Sequence, residues 1–201
     1  MEKKKNTKQL IVEISFDLFS KLGYSATSIR NIASEVGVRE SAIYNHFKSK
    51  EEILKAIIEE FKGRTSGTEI LNDELLDEID NPPVFMRKFS EQLLKQWSDK
   101  AERKFFRLLL MEQFREIKGV DLSISSYYND TRSVWRMIFN EMVKHKFIRK
   151  NDPEILAESF ISVLYFIRLE YLTNEKKIDL DKATKLVNKH IEFFWQAIKQ
   201  N

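Results

Sequence analysis

Between Thr27 and Lys50 two short helix patterns are separated by a single glycine, and the second is written to touch something outside its own core. Ile29, Ile32, Ala33 and Val36 recur at helical spacing and form one apolar stripe. Gly37 follows at once, where a helix end needs the left-handed backbone that glycine adopts without a steric cost. Val38 plugs the corner, and Ala42, Ile43 and Phe47 return to the core. Arg39, Glu40, Ser41, Tyr44, Asn45, His46 and Lys48 remain, and most of them must point outward. A short helix with a polar outer face, braced across a glycine turn by the helix before it, is the helix-turn-helix unit. Its second helix is sized for the major groove of DNA.

The positions Thr27, Ile32-Ala33, Gly37-Val38, Ile43-Tyr44-Asn45-His46-Phe47, Ser49-Lys50-Glu51 and Leu54 together resemble the signature of the TetR family of transcriptional regulators. The match keeps fixed spacing, which makes it more specific than an isolated dipeptide, and it covers less than a third of the chain. The resemblance implies a dimeric, all-helical, DNA-binding repressor whose C-terminal part binds a small molecule. The chain departs from it at Arg39 and Glu40, where the family usually has Ser or Thr and then a small or basic residue. The recognition helix loses its usual hydroxyl cap there, which leaves Glu40 or Ser41 to cap it. The operator sequence therefore does not carry over from relatives.

Only five Gly and three Pro occur in 201 residues, which disfavours strands and turns and favours long helices. Hydrophobic residues make up 42%, enough for a proper core. There is no cysteine, so disulfides, thiolate catalysis and Cys-ligated zinc are excluded, in keeping with a reducing cytoplasm. The net charge of +3 is unevenly divided. Residues 1–50 hold nine basic and five acidic residues, leaving 25 against 26 for the rest. All the surplus positive charge sits in the first quarter, as suits a polyanion-binding head on a neutral body. No apolar run follows the N-terminal lysines and none is long enough to span a bilayer, so neither a secretory signal nor a membrane helix is expected.

The expected architecture is all-α. Residues 1–50 form the head, 51–66 a connecting helix, and 67–201 a larger helical effector-binding and dimerisation domain. Lys3, Lys4, Lys5 and Lys8 form a basic arm, either a solvated terminus or a phosphate contact. Gly23 ends the first helix, Thr27 caps the second, and Ser49 with Glu52 makes a capping box for the fourth. Gly63 to Gly67 is a weak joint. Residues 69–80, with six acids, are either a short amphipathic helix or an acidic connector. Asn81-Pro82-Pro83, Asp152-Pro153 and Asp179 open further helices, and others are expected over Phe105–Ile117 and from Tyr127 or Tyr128 to Phe147.

The last two helices carry a dimerisation reading. Phe160, Leu164, Ile167 and Tyr171, with Leu180, Val187 and Phe194, lie at spacings suited to a four-helix bundle with a second copy; the alternative is that they close the chain's own core. Two recognition helices about 34 Å apart can read a palindromic operator in double-stranded DNA, where one reads too few bases.

At the DNA, Arg30 and Arg39 suit guanine, Asn45 suits adenine, and Glu40 either accepts from cytosine or orients Arg39. Tyr44, His46, Lys48 and Lys50 are candidate phosphate contacts, with Tyr44 alternatively walling the core. Thr27 and Ser28 open the second helix, whose free amides suit an anionic oxygen. In the body, Trp97, Arg107, Met111, Gln113, Tyr128, Trp135, Phe139, Tyr165 and Arg168 are candidates to line an effector cavity, against the alternative that they are ordinary core. An inward Arg107 or Arg168 points to an anionic or carbonyl-bearing effector.

His46, His145 and His190 fall in no metal-ligand spacing, and no phosphate-binding loop, dinucleotide fingerprint or nucleophile elbow occurs, so neither metal, cofactor nor catalysis is expected. A helical adaptor without specific DNA binding is the rival reading, with an all-α enzyme behind it.

Overall fold

The computed structural model describes residues 6–61, 67–174 and 177–200, so Lys3, Lys4, Lys5 and most of the Gly63–Gly67 joint lie outside the described residues. Among those described there are eleven helices and no strand beyond an isolated bridge between Ile117 and Val120. Two compact units are present. One is Met1–Arg64 with Lys104–Ser126, and the other is Thr65–Arg103 with Tyr127–Asn201. The unit that holds the head thus reaches beyond the expected 1–66.

In the first unit, α1 (Thr7–Leu22) starts at Asn6, whose side chain accepts from the Gln9 amide, and ends at Gly23 with φ 87°. Helix α2 (Ile29–Val36) ends at Gly37, whose φ of 79° and ψ of 32° are the left-handed conformation expected there. Its cap is Ser28, which shares a reciprocal box with Asn31. Thr27 is instead fully buried and donates to the Gly23 carbonyl at 2.9 Å, tying off the end of α1. Helix α3 (Glu40–Tyr44) has Arg39 at its cap position without a side-chain cap bond, so neither Glu40 nor Ser41 takes over that role. In α4 (Lys50–Phe61), Ser49 Oγ accepts from the Glu52 amide at 3.4 Å, and Glu52 reaches back to the Lys48 amide at 2.7 Å. The helices close over Ile11, Phe19, Ile32, Ile43, Ile53, Leu54 and Ile57, all fully buried. Each such side chain contributes roughly 1.5–3 kcal/mol by leaving water.

In the second unit, residues 69–80 resolve into two single turns, α5 (Gly67–Ile70) and α6 (Asp73–Leu76), rather than one helix. Helix α7 (Pro82–Ser98) packs on α11 (Leu180–Ile198), which packs on α10 (Pro153–Tyr171). The core centres on Trp135 of α9 (Ile124–Lys144), ringed by Phe85, Phe89, Phe139 and Phe160 at centroid distances of 6.0, 4.7, 5.3 and 4.4 Å.

Helix α8 (Lys100–Glu112) starts and stops five residues before the expected span. Asp99 accounts for the early start, since its carboxylate accepts from the Ala101 and Glu102 amides at 2.9 and 3.0 Å. Lys100–Arg103 belong to the second unit and Lys104–Glu112 to the first.

Most of the residues expected at a dimer interface face the chain's own core instead. Phe160, Leu164, Ile167, Val187 and Phe194 are buried in the chain's own core, and Tyr171 and Leu180 are half-buried. Phe160 is stacked among Trp135, Phe139, His190 and Phe194. Helix α10 is apolar nearly all round, so periodicity does not say which face is covered from within. The face left exposed holds Ile155, Val163, Phe166 and Leu169, while α11 exposes Phe193.

Candidate nucleic-acid interface

The second and third helices hold the polar set outward. Ile32 and Ala33 of α2 and Ile43 and Phe47 around α3 are buried, which turns the opposite side of residues 39–48 to solvent. Ser28, Arg30, Arg39, Glu40, Ser41, Tyr44, Asn45, His46 and Lys48 are all exposed. Tyr44 is 52% exposed, so it does not wall the core.

Two expected contacts are placed elsewhere. The Thr27 hydroxyl is buried, as described. Lys50 Nζ donates to the Tyr24 and Thr27 carbonyls, each at 2.7 Å, and lies 4.1 Å from the Tyr24 ring centroid. Burial lowers its pKa. Lys50 is therefore a brace under the loop between α1 and α2 rather than a free phosphate contact.

A second brace comes from residues far away in sequence. Glu112 accepts from the Tyr24 amide at 2.9 Å and pairs with Arg115 at 2.5 Å. Arg107 donates to the Ser20 carbonyl at 2.7 Å, and Lys104 pairs with Asp17. Gly23 sits against this brace, for a Cβ there meets Glu112 Oε1 at 3.2 Å. Sequence reasoning missed Glu112 and Arg115, because charges on a short amphipathic helix read as a solvated face. Arg107, expected at an effector cavity, belongs to this brace. Met111 is exposed, Gln113 donates to the Leu110 carbonyl, and these three belong to the first unit while the other effector candidates belong to the second.

The remaining candidates do share the second unit. Trp135 and Phe139 lie in its aromatic core, and Trp97, Tyr128, Tyr165 and Arg168 form a separate polar cluster. Arg168 is 1% exposed and its Nη2 donates to Glu102 at 2.7 Å. Its Nη1 donates to the Tyr127 and Tyr128 hydroxyls at 2.9 and 3.4 Å, and Tyr127 donates to Glu102. Burial disfavours the guanidinium charge, but the phenols and Glu102 more than offset it and hold its pKa above the ordinary value. Burial pushes Tyr128 up to about 12, so its hydroxyl stays protonated while it accepts from Arg168. Glu102 and Tyr127 were not legible as partners, since their pairing with Arg168 spans 66 and 41 positions.

Residues 11–57 match the family of bacterial regulatory proteins, tetR family. Relatives similar in sequence include HTH-type transcriptional regulators. Residues 11–57 are thus a TetR-family head.

The uncharacterized HTH-type transcriptional regulator YerO of Bacillus subtilis is 38% identical over 106 residues, 53% of this chain and 35% of YerO. YhgD of the same organism is 26% identical over 186 residues, 88% of this chain and 89% of YhgD. The chain spans about a third or less of the length of YerO and of several other curated relatives it matches. The body is recognisable by fold. The TetR-family regulator PfmR from Thermus thermophilus superposes with a TM-score of 0.66 at 22% identity, covering 92% of this chain and 97% of PfmR. SmeT, the repressor of a Stenotrophomonas maltophilia multidrug efflux pump, gives 0.68 at 19% identity, covering 98% and 92%.

Among the described residues no group of acidic residues or histidines is arranged to hold a metal ion, and no helix is long and apolar enough to cross a membrane.

Proposed function

We propose that this chain, with its TetR-family head, is a dimeric, sequence-specific transcriptional regulator that acts as a repressor and is released from its operator by a small-molecule effector. One observation carries the reading: Arg39, Glu40, Ser41, Tyr44, Asn45, His46 and Lys48 are exposed together beside a buried Ile32–Ile43–Phe47 brace. A polar face of this size, held by a rigid core, presents donors and acceptors to base edges and phosphates. Arg30 and Ser28, also exposed, extend it along α2.

Dimerisation is assigned to the exposed apolar stripe Ile155, Val163, Phe166 and Leu169 with Phe193, in place of the buried set. Contiguous exposed apolar surface of this kind is characteristic of protein interfaces. Effector and operator then oppose each other by linkage: an effector that favours a form of the dimer with wrongly placed heads weakens DNA binding, and DNA weakens effector binding by the same factor. The reading assigns the chain no turnover.

The test is fluorescence anisotropy on duplexes tiled across the DNA upstream of its own gene, at two salt concentrations. One duplex should bind far more tightly than a scrambled duplex of equal length, with affinity falling steeply as salt rises. Equal affinity for both duplexes, or none for either, sinks the proposal in favour of the adaptor reading.

A further inference from the structure

Glu102 occupies a receptor that the rest of its cluster builds for a carboxylate. The Arg168 guanidinium and the Tyr127 hydroxyl both donate to Glu102 Oε1. The surroundings are aromatic. The guanidinium carbon lies 4.8 Å from the Trp97 ring centroid, 5.3 Å from Tyr127 and 5.8 Å from Tyr128, and Tyr165 stacks on Tyr128 at 3.5 Å.

The two charges are not equally held. Arg168 lies in the last turn of α10, where the carbonyl end of the helix favours its charge, and three rings surround the guanidinium as well. Glu102 lies in the first turn of α8, where the free amides of a helix N-terminus favour a negative charge whether or not it is paired. A second carboxylate taking the place of Glu102 keeps the buried guanidinium neutralised, so the heavy cost of an unpaired buried charge does not arise. A cation entering here instead has to expel Arg168 from its rings.

We propose that the body binds a monocarboxylate with an apolar tail, whose head group displaces Glu102 from Arg168 and Tyr127 while its tail lies against the rings of Trp97 and Tyr128. For its regulatory consequence this rests on the reading above. The helix that carries Glu102 also carries Lys104, Arg107 and Glu112, which hold Asp17, the Ser20 carbonyl and the Tyr24 amide. Exchange at Glu102 therefore releases the first turn of that helix from Arg168 and Tyr127.

The probes are decanoate, decanol and decyltrimethylammonium, applied to the full chain at equal concentration below micelle formation and followed by thermal unfolding and tryptophan fluorescence. Decanoate raises the melting temperature and perturbs the fluorescence; the alcohol and the ammonium do not. Glu102→Gln removes the internal competitor's charge and keeps its volume, and it binds decanoate at least tenfold more tightly. Arg168→Gln binds it at least tenfold more weakly. Equal binding of decanoate and decanol, or preference for the ammonium, overturns the proposal. If Arg168→Gln does not fold, Glu102→Gln decides alone, and an unchanged or weakened decanoate affinity there overturns it. DNA binding is measured on the same samples. Decanoate binding without DNA binding sinks the regulator reading and leaves the site standing, whereas DNA binding without decanoate binding sinks the site alone.

Discussion

Lys50 Nζ donates to the Tyr24 carbonyl at 2.7 Å and lies 4.1 Å from the centroid of the same residue's ring, so one side chain holds both the backbone and the face of Tyr24. With the Thr27 carbonyl as second acceptor, Lys50 fixes the loop that aims α2. Lys50→Ala leaves two carbonyls without their charged donor. We expect a stability loss of about 1.5–3 kcal/mol, the usual range for hydrogen bonds to a charged group, measured by urea unfolding. The salt dependence of DNA binding, compared at a temperature where the variant is folded, should be unchanged. A flatter salt slope instead makes Lys50 a phosphate contact after all.

Arg39 and Lys48 are both exposed at the α3 face, but their chemistry separates them. A guanidinium bridges two guanine acceptors, while an ammonium meets phosphate as a point charge. Arg39→Ala should cost about 1–3 kcal/mol on the preferred duplex and relax its sequence preference. Lys48→Ala should weaken every duplex alike and lower the salt slope by about 0.9 for each protomer bound. Competition binding against single-base variants distinguishes them, and an unaltered base preference in Arg39→Ala removes it from the base-reading set.

Phe160 and Phe166 stand six positions apart on α10 and have opposite surroundings: the first is fully buried, the second 64% exposed. Phe160→Ala should destabilise the chain by about 3–5 kcal/mol through the cavity it opens in its own core. Phe166→Glu should leave folding nearly untouched and shift sedimentation from dimer to monomer at micromolar concentration. A dimer that survives Phe166→Glu combined with Phe193→Glu moves the interface elsewhere.

His190 supplies a pH dependence. Burial lowers its pKa, a hydrogen bond to the Phe160 carbonyl works the other way, and burial is the larger effect. As pH falls through the ordinary value of about 6.5, the unfolded chain takes up the proton before the folded one. Stability contributed by the neutral ring is complete above that value and is lost as pH drops toward the lower folded value. His190→Gln should reduce the slope of unfolding free energy between pH 7 and 5. An identical slope in the variant assigns the acid sensitivity to other groups.

The head was readable from local pattern because its determinants are local. Gly37 adopts the left-handed conformation its position demanded, and Ile43 and Phe47 are buried while Tyr44, Asn45 and His46 are exposed. Local pattern does not decide the outcome where two neighbours compete for one task. Ser28 caps α2 because Asn31 completes its box, and this turns Thr27 inward to the Gly23 carbonyl. Residues 69–80 broke into two turns because Asn72 caps a new one, accepting from the Leu75 amide.

By itself the sequence determined that this protein is all-helical, where most of its helices begin, and that a polar face at residues 39–48 turns away from a glycine-braced core. Caps, breakers and periodicity act within a turn or two of chain, so they are written in order along it. Tertiary structure alone decided which side of α10 is covered, that Lys50 braces a loop, and that Glu102 sits with Arg168. An all-round apolar helix carries no periodic mark of its buried side. A charged residue carries no mark of a partner some sixty positions away, because that pairing exists only once packing has excluded water from both.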